Sequence, residues 1–580
     1  MILGQTAYKN LSLPNHTQFP TICQIPVMSG FTLSLPDLII MVLYGVLIIG
    51  YGLYHARRKN AEDYFLGGRS MTWPIVGIAL FAANISSSTL VGLAGDAYKT
   101  NAHVYNYEWF AVIILIFFAI FFLPFYLRSR VYTMPEFLER RYDRRSRYYF
   151  SFITIVGNVL IDTAAGLYVG NIVLKLIFPE LPSWFIIMIL AFAAAAYTIP
   201  GGLNSVIQTE VVQAILLMVG SWLLTWFAFR EVGSWQDMVA GLDAKFAAGE
   251  IAADAAGTLS MVRQTDDEFM PWYGLLTGVP LLGFYFWANN QFMVQRVLSA
   301  KSLNHGRWGA LFAGFLKLPV FFFMVLPGIL AILIFSDLDL TGINYMLPSG
   351  QTCANLSECP NLTYPVLLFN LLPTGILGLV IASLLAAMMS SVSATFNSAS
   401  TLITMDFIKP LNPRISEKQL VRAGQLATLI LVILAAAWVP FIEKVSDTLW
   451  EYLQRVLAYI APPVVATFIL GLFWKRATAT GSFVSLMFGF VTAIVLLFVD
   501  TGMHFLLLAF VVFLVCAVVH IAVSLMTLPP SDEKVAHYTW RPELFKMETE
   551  ELRALPWYQN YRYLAVGLLV ITVCVVGFLW

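Results

Sequence analysis

An all-α polytopic membrane protein of about fourteen transmembrane helices is what this sequence predicts, on three observations. Hydrophobic residues make up 59% of the 580 residues and charged residues only 12%, with a mean hydropathy of +0.75, far outside the soluble range. The apolar residues gather in spans, all but the short 184–199 clearly long enough for a bilayer core of roughly 30 Å. One span is interrupted between Phe81 and Ser88 by the small, hydroxyl-rich run Ala82-Ala83-Asn84-Ile85-Ser86-Ser87-Ser88. An unwound backbone in hydrocarbon leaves N–H and C=O groups unpaired, so such a break must face protein or water, and it is expected to line a binding site. Broken helices whose freed carbonyls coordinate a cation near the midplane belong to secondary transporters built from inverted repeats.

The spans follow in order. The first is 35–54, then 73–98, 108–127, 147–177, 184–199, 206–229 and 272–297, and after these 308–335, 367–403, 419–442, 448–474, 480–499, 504–527 and 563–580. Two of them, 147–177 and 367–403, exceed one crossing and are expected to tilt, kink or extend beyond the membrane.

Cytoplasmic loops accumulate Lys and Arg. One set of alternating loops, at 57–69, 128–147, 296–307, 409–422, 475–476 and 534–562, holds most of the 34 basic residues. The opposite loops and helix ends hold Lys9, Lys99, Lys175, Arg230, Lys245, Arg263 and Lys444. Both termini are therefore expected outside, in a plasma (cell inner) membrane. Residues 1–33 lack the basic start and cleavage site of a signal peptide, so the first span is expected to act as an uncleaved topogenic helix.

Four sequons, at Asn10, Asn15, Asn355 and Asn361, fall in loops assigned to the outside. Cys353 and Cys359 share one outer loop and could form a disulfide, whereas Cys23 could pair elsewhere or stay free, and Cys516 and Cys574 read as packing residues at lipid depth. No Cys/His cluster has metal-ligand spacing, and none of the seven histidines sits near a plausible nucleophile, so no enzyme is expected. The net charge of zero gives no global field to attract nucleic acid.

The motifs Asp63-Tyr64-Phe65-Leu66-Gly67-Gly68-Arg69-Ser70, Ala82-Ala83-Asn84-Ile85-Ser86, Tyr107-Glu108-Trp109 and Tyr132-Thr133-Met134-Pro135-Glu136-Phe137 resemble those of the sodium:solute symporter family, most closely its sodium/glucose-type members. The resemblance continues through Gly201-Gly202-Leu203, Gln295-Arg296, Ala300-Lys301-Ser302, Ser390-Ser391, Asn397-Ser398 and Gly471-Leu472-Phe473-Trp474-Lys475. It implies a leucine-transporter-type 5+5 inverted-repeat core, with repeats at 73–230 and 272–474 joined by an outer loop, 231–271. An outer N-terminal segment, 1–34, and a peripheral helix, 35–60, precede the core, and helices within 480–580 follow it, with a cytoplasmic loop at 528–562. The second repeat is expected to open on a helix interrupted around Gly283-Phe284-Tyr285.

Sodium prefers hard oxygen ligands, which an unwound helix supplies as carbonyls and a neighbouring helix as hydroxyls. The resemblance implies a Na+ site from the carbonyls of Ala82, Ile85 and Ala387 and the side chains of Ser390 and Ser391. Read without the family, Ser390, Ser391 and Ser393 are equally small residues that let helices approach. Glu210 and Ser393 match a second sodium site or exit path, but Ala394 stands where relatives with a second sodium have a hydroxyl, so one sodium per cycle is expected.

Polar groups at membrane depth are expensive and face the bundle interior. The family's sugar contacts fall on Asn84, Glu108, Lys317 and Gln454, with Trp287 to stack on an apolar sugar face and Phe286 and Trp450 as gates on either side. Paired donors and acceptors suit a ring of hydroxyls. The chain departs from sugar-binding relatives at Thr89, which is still expected to contact the solute, and at Gly283, Ala111 and Phe286; at these four positions the relatives have Gln, Asn, Ser and Tyr. Asp162 stands where relatives have an Asn or Lys contact. It is read either as a solute contact or as the ion-pair partner of Arg455. An Asp162–Arg455 pair leaves the pocket neutral and favours a neutral sugar or polyol. An Arg455 that faces away leaves it net negative and favours an amino-bearing solute. The expected function is sodium-coupled import by alternating access, the alternatives being symport of a sialate, amino-bearing or carboxylate solute, or a non-transporting solute sensor. A sensor needs an effector, and 528–562 is too short to be one. A site closed by bulky aromatics suits occlusion better than a continuous pore.

Overall fold

Apolar runs punctuated by Ser, Asn, Gly and Pro fold here as helices whose ends those residues set. The computed structural model describes residues 31–56, 60–335, 338–341, 353–442, 449–496 and 498–579. Helix α1, Leu35–Tyr54, starts at a capping box in which Ser34 and Asp37 bond each other's backbone N–H groups. Helices α2, Trp73–Asn84, and α3, Ser87–Thr100, meet at 58°. Next come α4, Ala102–Arg128, α5, Arg144–Ile177, and α6, Ser183–Val232. A loop with short helices at Trp235–Ala247 and Ala255–Leu259 leads to α7, Trp272–Phe284, and α8, Gln291–Leu298. Helices α9, Leu303–Lys317, and α10, Phe321–Ile334, are bent by 43°. The chain continues as α11, Ile376–Leu411, α12, Glu417–Ile442, α13, Leu449–Phe473, α14, Ala479–Leu496, α15, Phe505–Met526, α16, Pro542–Arg553, and α17, Tyr561–Leu579. Among the described residues ten helices are long and apolar enough to cross a membrane, or up to twelve if each bent pair is one span.

The observed breaks differ from the expected ones in three places. The spans 184–199 and 206–229 are one continuous 50-residue element, α6, turned at Gly202 rather than separated by a loop. Gly202 has φ +60, and a Cβ there would sit 2.3 Å from the Tyr64 carbonyl oxygen, so only glycine serves. The helix that opens the second half is interrupted at Asn290, not around Gly283: residues 272–284 stay helical, 285–289 form a wider π turn, and Asn290 is extended at φ −65, ψ 129. Its side chain caps α8 by accepting from Phe292 N at 3.3 Å, which fixes the restart. The long 367–403 stretch is two pieces, a short helix Thr363–Leu371 and α11, separated by a turn that includes Gly375 at φ +86. The other long stretch, within α5, carries a π turn at Asn158–Thr163.

The centre of the bundle is α11, packed against α6 through small residues. A Cβ on Gly220 would meet Ser383 Oγ at 2.4 Å, so the helices touch backbone to side chain. Gly77 of α2 and Gly309 of α9 allow the same approach, a Cβ on Gly77 falling 2.8 Å from the Gly309 carbonyl oxygen. The basic loops meet at one end of the bundle. Arg69 donates to Val131 O and Leu298 O, Arg141 to the carbonyls of Gly471, Trp474 and Ala477, and Lys534 to Tyr142 O. A short parallel bridge, Met71 N to Ser299 O and Lys301 N to Met71 O, both 3.0 Å, ties the entry of α2 to the exit of α8. At the other end Arg263 bonds His103, and Cys353 and Cys359 are joined in a disulfide. Of the sequon residues, Asn10 and Asn15 lie outside the described residues, as does Cys23. Asn361 is buried, so a glycan does not fit there. Cys516 is buried as expected, whereas Cys574 is exposed on the outer face of α17.

Candidate functional site

The break between α2 and α3 is built by two residues. Ile85 leaves the helix at ψ 88, and Ser86, extended at ψ 172, caps α3 in a box with Thr89. Ser86 N turns back to Asn84 O at 3.0 Å, so among the described residues no backbone N–H reaches the carbonyls of Ala82 or Ile85. Ser390 of α11 fills part of that gap, its hydroxyl donating to Ala82 O at 3.3 Å. Ser391 Oγ bonds Ala387 O at 3.1 Å on its own helix. Of the five expected sodium ligands, Ala82 and Ser390 therefore meet between α2 and α11, Ala387 and Ser391 meet on α11, and the Ile85 carbonyl lies at the break without a backbone donor. Helix packing and ion ligation are compatible here: Ser390 and Ser391 are small and buried, Ser390 bonding the freed Ala82 carbonyl and Ser391 a carbonyl of its own helix.

Beside this cluster lies a cavity of about 90 Å³ whose walls include Asn84, Thr89, Glu108, Asp162, Gln454 and Ser391, with Phe286, Trp287 and Trp450 as its aromatic surfaces. Six of the seven sequence-assigned solute contacts and both gates therefore share one space. The seventh, Lys317, stands behind the wall and donates to Glu108 and Asn84, with Glu108 and Lys317 both buried. Its ammonium lies 5.4 Å from the Trp287 ring centre, a cation–π distance. Thr89 lines the cavity, but its hydroxyl is spent on Asn84 O at 3.0 Å and on the α3 cap. The volume is far below the roughly 300 Å³ of an ordinary ligand pocket, so a hexose-sized guest requires Phe286 or Trp450 to swing aside.

The Asp162–Arg455 pair does not form. Arg455 turns outward, 58% exposed, and pairs with Glu451 on its own helix at 2.6 Å. Consecutive helical residues point about 100° apart, so with Gln454 in the cavity wall Arg455 must face elsewhere. Asp162 has no ion pair or side-chain hydrogen bond among the described residues.

The sequence matches the model of the sodium:solute symporter family over residues 64–489. The chain belongs to this family. It is 32% identical over 553 residues to sodium/glucose cotransporter 1 of Ovis aries, covering 89% of this chain and 82% of the relative. It is 33% identical over 542 residues to the sodium/mannose cotransporter of Bos taurus, covering 88% and 90%. To sodium/myo-inositol cotransporter 2 of Bos taurus it is 32% identical over 561 residues, covering 90% and 82%. Among solved structures, a Na+-coupled sialic acid symporter in a substrate-bound outward-open state shares the fold at a TM-score of 0.71 and 22% identity, over 86% of this chain and 99% of that one. Mhp1, a nucleobase-cation-symport-1 family transporter, aligns at a TM-score of 0.51 and 11% identity, over 83% and 99%. The protein is thus a transporter of sodium:solute symporter type, not an enzyme, and a multi-pass membrane protein.

Within this symporter Glu210 and Ser393 have different direct partners. Glu210 forms a fully buried ion pair with Arg296, at 2.5 Å to Nη2 and 3.2 Å to Nε. Ser393 instead accepts from the Tyr197 hydroxyl at 3.0 Å and donates to Ser390 O at 2.9 Å. A second buried cluster at the basic end was not legible in the sequence. Asp406 accepts from Thr133 Oγ1 at 2.7 Å, from Ser151 Oγ at 2.5 Å and from Arg147, which also pairs with Glu139. The motif residue Thr133 was its one visible signal.

Ser391→Ala removes a hydroxyl oxygen from the sodium cluster while leaving the helix intact. Sodium affinity is expected to fall about tenfold or more, as a lost bond to a charged group of roughly 1.5–3 kcal/mol implies. Titration of sodium-dependent uptake reads it, and an unchanged half-saturating sodium concentration in a stable variant removes Ser391 from the site.

Proposed function

We propose that this symporter couples the inward movement of Na+ to import of a small polyhydroxylated solute, a sugar or polyol, by alternating access. The observation that carries the reading is the break at Ile85, where the carbonyls of Ala82 and Ile85 lack backbone donors and Ser390 of α11 reaches Ala82 O, beside a cavity lined by polar and aromatic side chains. Ala82, Ile85, Ala387, Ser390 and Ser391 bind the ion. Asn84, Glu108, Lys317 and Gln454 meet solute hydroxyls, Asp162 is a further solute contact, Trp287 stacks on the ring, and Phe286 and Trp450 gate. Relatives named for glucose, mannose and myo-inositol support this solute class. A sialate is disfavoured even though a sialic acid symporter shares the fold, because Lys317 is already committed to Glu108 and Asp162 repels a carboxylate.

The architecture we propose has fourteen spans with a 5+5 inverted-repeat core at 73–230 and 272–474, one helix before it and three after. Two features support the repeat: each half opens on a helix broken in mid-course, at Ile85 and at Asn290, and the next span of each half carries a π turn, at Phe118–Phe122 and Phe321–Val325. Gly202 and the break at Asn290 supply the two crossings beyond twelve. The gathering of basic loops at one end supports placing that end in the cytoplasm and both termini outside. Uptake into proteoliposomes under an inward sodium gradient, screened over hexoses, amino sugars, inositols and sialate, tests the function. Stimulation by sodium for a sugar or polyol is expected, and sodium-driven uptake of sialate alone overturns the solute class. One sodium per solute is expected, because Ala394 has no side-chain hydroxyl and Tyr197 engages Ser393. Reversal potentials in vesicles count the ions, and a ratio near two shows a second site.

A further inference from the structure

The charges of the cavity do not balance. Glu108 and Asp162 are the charged residues in its wall, and Glu108 is neutralised by Lys317. Asp162 has no such partner: Arg455 is held by Glu451 on the far side of α13. Thr163 next to Asp162 is occupied by Thr395 at 2.6 Å and Asn158 O at 2.7 Å. Asp162 sits on the π turn of α5, where the widened helix directs an extra residue inward. A bare carboxylate in a mostly apolar cavity is costly unless something cationic arrives with the guest. The remaining walls suit such a guest. Phe286, Tyr107 and Trp450 present aromatic surfaces that are not faced by Lys317, and aromatic rings beside a carboxylate form the usual cradle for an ammonium group.

We propose that Asp162 makes this symporter selective for an amine-bearing polyhydroxylated solute, an amino sugar or amino polyol, whose ammonium pairs with the Asp162 carboxylate while its hydroxyls meet Gln454 and the Glu108–Lys317–Asn84 cluster. The inference rests on the sugar or polyol reading above and narrows it. It also accounts for the departures at Thr89 and Phe286. The Thr89 hydroxyl is committed to the α3 cap and Phe286 has none, so hydroxyl recognition is reduced in the same cavity where charge recognition is added.

The test is competition in wild-type proteoliposomes under a sodium gradient, at a pH where a primary amine is protonated, among glucosamine, mannosamine and galactosamine, their N-acetyl derivatives and the parent hexoses. At least one free amine is expected to bind about tenfold or more tighter than both its N-acetyl derivative and its parent hexose, as a charge-assisted hydrogen bond implies. In Asp162→Asn that ratio is expected to collapse toward one, and Asp162→Ser gives the same readout should the Asn variant misfold. Equal affinity for amine and parent in the wild type overturns the inference, as does a preference that survives in the variants. Neutral-hexose uptake accompanied by Asp162-dependent acidification of the lumen also overturns it, since the carboxylate then carries a proton instead. Sodium-driven uptake of neutral sugars without amine preference sinks this inference alone. No sodium-driven uptake of any sugar or polyol, aminated or not, sinks the sugar reading with it.

Discussion

Lys317→Gln is expected to destabilise the protein by about 3–5 kcal/mol, because it leaves the Glu108 carboxylate buried without its counter-charge. The effect extends beyond one pair. The same ammonium donates to Asn84, the last helical residue before the unwound Ile85, so it anchors the end of α2 to α9 and α4 at once. Losing it frees the segment that presents the Ala82 and Ile85 carbonyls, and both sodium and solute affinities should fall. The double variant Glu108→Gln/Lys317→Met removes both charges, and much of the stability should return while solute affinity does not. Thermal unfolding in detergent measures the first effect and binding in proteoliposomes the second. A Lys317→Gln protein as stable as the wild type would show that Glu108 is protonated or solvated without the lysine.

The two halves of the site differ in how legible they were. The break at 82–88 stood out in the sequence because a run of small polar residues inside a long apolar stretch is costly in hydrocarbon unless it faces a site, and the structure unwinds there. The second break was misplaced because Gly283 drew attention within the helix, whereas the chain is turned by Asn290, whose side chain caps the helix that follows. The 184–199 and 206–229 spans were given as separate, yet a single positive φ at Gly202 turns the chain without a loop. Arg455 was open to correction from the sequence itself: Glu451 lies four residues before it, an ordinary helical ion pair. The pairs Arg296–Glu210 and Arg147–Asp406 were not legible, since they join residues 86 and 259 positions apart. No local pattern encodes which of several buried charges will meet across a bundle.

The Arg296–Glu210 pair carries the second large effect. Both side chains are fully buried, and the guanidinium makes two bonds to the carboxylate and a third to Phe292 O. It joins α8, beyond the second break, to α6, at the end where the basic loops gather. Arg296→Met strands the carboxylate and is expected to cost about 3–5 kcal/mol. Glu210→Gln/Arg296→Met restores neutrality and should recover most of that loss, so a double-mutant cycle gives a coupling energy well above the 0–1 kcal/mol or so of an exposed pair. Arg296→Lys is expected to fall between them, because an ammonium has no planar fork to match both carboxylate oxygens. The functional consequence separates this pair from a merely structural one. Alternating access requires the basic end, which the proposed orientation places in the cytoplasm, to open, and a bond joining α6 to α8 there would oppose that opening. The neutral double variant should therefore be stable yet biased toward the inward-open state, read as faster release of preloaded sodium to the cytoplasmic side in vesicles. A double variant with wild-type release would confine the pair to stability and remove it from the transport cycle.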